Sequence, residues 1–592
     1  MRLLPALILG VPMIAQSLSP HQDRADRFLK LVNAAYQSLV TVQSEALWAA
    51  STDVKPESDA AAEWAGKASA AFNGNPALIQ EARELLKVRD QLSPITVRQL
   101  ERVLFNAADG PMTNPKLTNQ RIVMETRQAS TQNGFVFKLD GQPISANGID
   151  KILGESSDAA QRLKVWTASK ESGPALKEGL IQLRDLRNGC AQELGYTDFF
   201  ALQSAKHGLS TEEMLKLHRD FLTVLKPLYL QLHTWAKYEL AKKYKQPVPK
   251  TIPAHWINNR WSQEWTGMVS GVDFDAFVNK EKGWTSEKIV RTAENFFLGT
   301  GFPKLPATFW QKSDLYPVKD GDTRKKNSHA SCWHIDLDQD VRSLMSVEPN
   351  FQWFSTAHHE LGHGYYQLAY SNPGVPPLLR DSATTAFHEA IAELVSLATR
   401  QVPYLKATGV LPADYKADPI QVLLAEALET AIPFMFWGSG TMTEWEADFF
   451  AGKMPADQMN ARWWKLVRDL QGVEPPSLRN EAYCDAATKT HINDAPGYYF
   501  NYNIAFVLKF QFHDYICKHI LKQDPHAANY AGNKEVGKYL RTWLEKGATE
   551  NWRKLLKDAT GEDLSTRAMA EYFAPLQKWL EKQNKGRQIG WE

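Results

Sequence analysis

Cysteine is scarce: Cys190, Cys332, Cys484 and Cys517 are the only four in 592 residues, and no two of them form a C-x-x-C pair. That excludes a disulfide-built scaffold and argues against thiolate zinc ligands or dithiol redox chemistry. An exported chain could still form one or two disulfides, with the pairing open. An excess of either charge is missing too, since 68 Lys and Arg face 67 Asp and Glu, a net charge of +1. Without a basic surplus there is no footprint for nucleic acid, and without an acidic run there is no solvated tail. Past the N-terminus no apolar run reaches the roughly eighteen residues a membrane helix needs, so no stable membrane insertion is expected. Internal repeats and low-complexity linkers are absent, which leaves one compact unit over residues 18–592.

The N-terminus carries one arginine, an apolar run from Leu3 to Ala15, and then small and polar residues. This is the pattern of a secretory signal over residues 1–17, too short to span a bilayer, and it predicts an exported protein, periplasmic or secreted. Beyond it, helical periodicity dominates. From Phe28 the apolar positions Leu31, Val32, Ala35, Tyr36 and Leu39 predict a long amphipathic helix. Ser210 with Glu213 makes a capping box for another. A third helix should begin after Thr285, turn Ile289, Val290, Ala293, Phe296 and Phe297 inward, and stop near Gly299. Strand signals are confined to short stretches near 134–141 and 331–337. The fold is mainly α, and the 19 tryptophans are read as interior packing.

Against this background "HHELGH" at 358–363 carries chemistry. His359 and His363 share a helix face one turn apart, so both imidazoles can converge on one Zn²⁺ while Glu360 reaches a water beside it. Chance alone would give H-E-x-x-H in on the order of one in fifty chains of this composition, so the motif needs support. A zinc hydrolase needs a third protein ligand and an open position. "FHEAIAEL" supplies Glu389, 26 residues after His363, on a helix able to pack beside the first. Glu393, one turn later, can fix a ligand imidazole, whereas His388 reads as structural.

With these residues in place the chain resembles the angiotensin-converting enzyme (peptidyl-dipeptidase A) family of zinc peptidases. The resemblance rests on "HHELGH" and "FHEA", on "HASCW" (329–333), on "AHWINNRWSQEW" (254–265), on "KTHINDAPGYYFNYNIAF" (489–506) and on "KFQFH" (509–513), in the family's order. It implies a large helical zincin-type peptidase with a deep central channel lidded by N-terminal helices. It implies one zinc per chain on His359, His363 and Glu389, with Glu360 as general base and Tyr502 and His491 as the pair that stabilises the oxyanion. It further implies that His329 and Ala330 bind the substrate backbone. Gln263, Lys489 and Tyr499 would hold a C-terminal carboxylate, and Phe434 and Phe506 would line a side-chain pocket. The substrates so implied are short peptides with a free C-terminus, cut to release dipeptides.

The sequence also departs from the family. Asn501 stands where an arginine usually binds chloride, and a neutral amide cannot hold an anion as a guanidinium does, which leaves chloride dependence open. Glu393 replaces the usual aspartate, and the stretch from His491 to the tyrosines is one residue longer. Two rivals stay on the page: a zinc carboxypeptidase or oligopeptidase, and a peptide-binding relative without catalysis.

Overall fold

The computed structural model describes residues 19–269, 274–319, 323–327 and 330–592. The signal reading over 1–17 and the substrate-binding role of His329 therefore lie outside the described residues. Helices dominate, and among the described residues sheet is limited to three two-stranded pairings. One of these, Ser331–His334 against Val341–Leu344, runs antiparallel beside the metal helix introduced below.

The chain opens with helices Pro20–Thr52, Pro56–Asn73, Pro76–Leu86 and Pro94–Ala108. Each begins with proline at its first turn, where the missing N–H has no partner to lose. Ser19, Asn75 and Ser93 cap three of them by accepting from the exposed N–H groups. The buried stripe of the first helix is Ala25, Leu29 and Val32, with Tyr36 half-buried beside it, an i, i+4, i+7, i+11 series. Leu31, assigned to that stripe from the sequence, is 70% exposed. The core-facing set starts three residues before Phe28, and one residue of slippage turns a helical side chain by about 100°. This stripe meets Leu85, Leu100 and Leu378 in a small cluster separate from the main core.

Two other predicted helices have their expected ends. Ser210 and Glu213 close a capping box at the start of Thr211–Tyr244. Thr285 caps Ser286–Gly299, whose five predicted residues are all buried. The main core runs from Ala108 to Leu580 and takes in Trp166, Trp265, Trp437, Trp445 and Trp543, each almost wholly inaccessible. The four cysteines form no disulfide; Cys190, Cys484 and Cys517 sit buried as thiols. The helical run Pro419–Phe450 is 32 residues long with a mean hydropathy of 1.3 in its most apolar window, enough to cross a membrane by length and composition. That window is 76% buried, because its apolar side chains pack against other helices.

Three helices frame the site: Phe351–Tyr370 (the metal helix), Thr385–Thr399 (the glutamate helix) and Tyr499–Tyr515 (the tyrosine helix). The glutamate helix lies between the other two. Its approach to the metal helix is close at Gly362, where a Cβ would stand 2.9 Å from the Ala392 Cα. Glycine inside the H-E-x-x-H segment thus sets how near Glu389 comes to the histidines.

Candidate metal centre

The metal helix starts at an Asn350 cap and presents His359 and His363 on one face. Their Nε2 atoms lie 3.2 Å apart, and His363 Nε2 is 3.8 Å from Glu389 Oε2. One donor atom from each of the three residues falls within 4.8 Å of the others. Zinc with bonds near 2.0–2.1 Å would separate tetrahedral nitrogen ligands by roughly 3.3 Å, so the imidazole pair has the right span.

The outer contacts fix this orientation. His363 Nδ1 meets His388 Nδ1 at 2.6 Å, and His359 Nδ1 is 3.3 Å from Ser396 Oγ and 3.7 Å from Glu393 Oε1. The far nitrogens are engaged by protein, which turns both Nε2 atoms toward Glu389. The Tyr498 hydroxyl donates to Glu389 Oε1 at 3.0 Å, and Lys509 donates to Glu393 Oε2 at 3.1 Å. Sequence reasoning left His388 as structural and gave no role to Tyr498 or Lys509. Its helical spacing from Tyr502 was the available signal.

Electrostatics fit a cation. Burial, with the Glu389 charge adding to it, pushes the Glu360 carboxyl up to about 8. Burial pushes Glu389 up to about 7, against the hydrogen bond from Tyr498. Burial holds His363 well below its ordinary range and therefore neutral, as a ligand must be. Burial also opposes the charge on Glu393, but Lys509, His359 and Arg400 together outweigh it and leave this carboxyl below the usual range. Glu360 Oε2 is buried without a hydrogen-bond partner. Such an orphaned oxygen beside three converging donors is what a metal and its water would satisfy.

Ala330, His359 and Glu360 line two cavities of about 390 and 440 Å³, the first also bounded by Glu389, Tyr498 and Tyr502. Away from the metal, Lys489 Nζ donates to Gln263 Oε1 at 2.7 Å, and the Tyr499 hydroxyl approaches the same oxygen at 3.5 Å. The Lys489 ammonium lies 4.4 Å from the centre of the Trp261 ring and is 5% exposed. Burial pulls it down to about 7, with the neighbouring Glu264 charge opposing. The Phe434 and Phe506 rings lie 4.9 Å apart, tilted by 59°, against this group, with Phe434 5.6 Å from Tyr499 and 6.2 Å from Tyr502. The His491 ring sits 4.9 Å from Tyr499 and 6.4 Å from Tyr502, bridging the two groups. In this stretch Gly497 has a φ of +67°, and its N–H donates to buried Glu446. Asn501 donates to the Tyr498 carbonyl.

Two histidines one turn apart, a glutamate from the next helix and a second glutamate beside the histidines define the class: a zincin-type metallopeptidase centre on a helical scaffold. Residues 19–591 match the family model described as angiotensin-converting enzyme, and the chain belongs to that family. It is 30% identical over 599 residues to angiotensin-converting enzyme of Bos taurus, covering 96% of this chain and 44% of that protein. It is 31% identical over 453 residues to angiotensin-converting enzyme of Theromyzon tessulatum, covering 73% of this chain and 71% of the relative. The chain thus spans less than half the length of the bovine relative.

Proposed function

We propose that this chain is a zinc-dependent peptidyl-dipeptidase that removes C-terminal dipeptides from short peptides and works outside the cytoplasm after export. The observation that carries the reading is the buried ammonium of Lys489, fixed with Gln263 and Tyr499 at one end of the aromatic path that leads to Tyr502. A desolvated cation flanked by an amide and a phenol suits a terminal carboxylate.

When bound by His359, His363 and Glu389, zinc supplies Lewis acidity at the scissile carbonyl and lowers the pKa of a water. Glu360 takes a proton from the attacking water and returns it to the leaving amine. The Tyr502 hydroxyl and His491 donate to the carbonyl oxygen as negative charge develops there, one such donor typically contributing about 3 kcal/mol. Lys489, Gln263 and Tyr499 hold the chain end and so set where the cut falls, with Phe434 and Phe506 beside the last side chain. Ala330, and His329 by resemblance, pair with the peptide backbone.

Purified protein with equimolar zinc, incubated with an N-blocked pentapeptide, should release an intact C-terminal dipeptide by mass spectrometry. Amidating the peptide's C-terminus or introducing Glu360→Gln should abolish release. Single amino acids or internal cuts would favour the carboxypeptidase or oligopeptidase reading instead. Zinc binding without cleavage would favour the binding relative.

A further inference from the structure

Lys509 is 1% exposed on the tyrosine helix, buried deeper than an unpaired lysine is found. Tyr502, Phe506 and Lys509 follow an i, i+4, i+7 series and share one face. On the glutamate helix Glu389, Glu393 and Ser396 do the same, and Arg400 caps its C-terminal end. Lys509 Nζ lies between Glu393 Oε2 at 3.1 Å and Glu426 Oε1 at 3.8 Å, with the Phe506 ring centre 4.5 Å away. Among the described residues it is the only lysine or arginine within 4.0 Å of Glu393. The other Glu393 oxygen faces His359 Nδ1 at 3.7 Å, and Arg400 Nε lies 3.8 Å from Glu426.

We infer that Lys509 is a positioning residue for the metal centre: it holds the Glu393 carboxylate against His359 and locks the tyrosine helix in register with the glutamate helix. This rests on the metal-site reading above. Glu393 carries one methylene more than the aspartate expected there, so its carboxylate has an extra rotatable bond to be held. An ammonium on the opposite helix supplies that restraint, and the aromatic wall around it keeps water from competing. The same contact fixes Tyr502, seven residues before Lys509, relative to Glu389, four residues before Glu393. One buried ion pair therefore couples the donor for the developing charge to a ligand of the metal. Burying a lysine to do this is costly, and the pair persists because removing one partner alone would strand the other.

The test is zinc affinity of the apoprotein, measured by competition with a chelator, together with the apoprotein's thermal midpoint. Lys509→Met should weaken zinc by roughly tenfold to a hundredfold, the range typical of lost outer contacts. Lys509→Arg should recover most of that loss. In a Glu393→Gln background, which leaves no carboxylate to hold, adding Lys509→Met should change zinc affinity little. Wild-type zinc affinity in Lys509→Met, whatever its midpoint, would overturn the inference. So would losses from the two substitutions that simply multiply. If Lys509→Met alone does not fold, the comparison of Glu393→Gln with the double variant decides: equal affinity supports the coupling, and a further loss refutes it. A wild-type protein that fails to bind zinc one to one would instead refute the metal-site reading.

Discussion

Lys489 is the residue whose environment speaks most directly to specificity. Its ammonium is held down to about 7 chiefly by burial, against a value of 10.5 in an unfolded chain. Between those values the unfolded chain binds the extra proton, so this group's contribution to the stability of the unliganded protein rises with pH and is lost as pH falls through 7. Binding of a terminal carboxylate runs the other way, because it needs the proton. KM for peptides with a free C-terminus should therefore climb as pH rises above about 7, by up to tenfold for each unit. Lys489→Arg, which keeps its charge, should flatten that slope whatever it does to KM at pH 7. A wild-type KM that stays level from pH 6 to 9 would remove Lys489 from carboxylate binding. At this scale the convergence of His359 and His363 was legible because H-E-x-x-H encodes an angle as well as a composition. Lys509 was not, since its partners come from segments more than eighty residues distant and only the packed helices bring them together.

The N-terminal helices are bound to the rest of the molecule through polar contacts and small apolar clusters, Trp48 against Trp333 and Ile95 against Leu379 among them. Asn33 accepts from the Leu378 N–H at 2.9 Å, Arg98 donates to the Ala548 carbonyl at 2.6 Å, and Arg342 pairs with Glu45 and Asp340. Their shared core of Ala25, Leu29, Val32, Leu85 and Leu100 is distinct from the core under the metal site. Elements with so little buried apolar surface belong to the low-stability end of a structure and open first. Leu29→Ala should cost roughly 2–5 kcal/mol. It should speed amide exchange within residues 20–108 by orders of magnitude, leaving the three site helices and zinc affinity unchanged. Acceleration spread evenly over the chain would show that the two cores melt together. Helix ends in this molecule were readable where caps are local, as at Ser210 and Thr285. The face of the first helix was misjudged at Leu31, because an exposed leucine and a buried one look alike until the neighbouring helix is placed.

Across the whole molecule the balance of buried titratable groups sets an acid limit. Burial holds His218 and His233 down to about 3 and His207 to about 4, so each is neutral in the folded state. Their folded values lie below the unfolded value of about 6.5. The stability they contribute is accordingly complete above that pH and is lost as pH falls through 4 to 3. Glu446 acts in the opposite sense. Burial pushes it up to about 8, so the stability it contributes is present below the ordinary carboxylate value and declines as pH rises through 8. With a net charge near zero, general repulsion adds little in this window. Glu360 and Glu389 act in the same sense as Glu446 in the metal-free protein, and Lys489 acts against them above pH 7. The steep fall therefore lies on the acid side, where the histidines that burial holds down, His255, His334, His358, His388 and His513 among them, outnumber the raised glutamates. Urea midpoints of the metal-free protein from pH 8 to 4 would trace this acid-side fall. A midpoint that holds level down to pH 4 would mean that His207, His218 and His233 open to water and protonate without unfolding the core, contrary to their burial at 0–5% exposure.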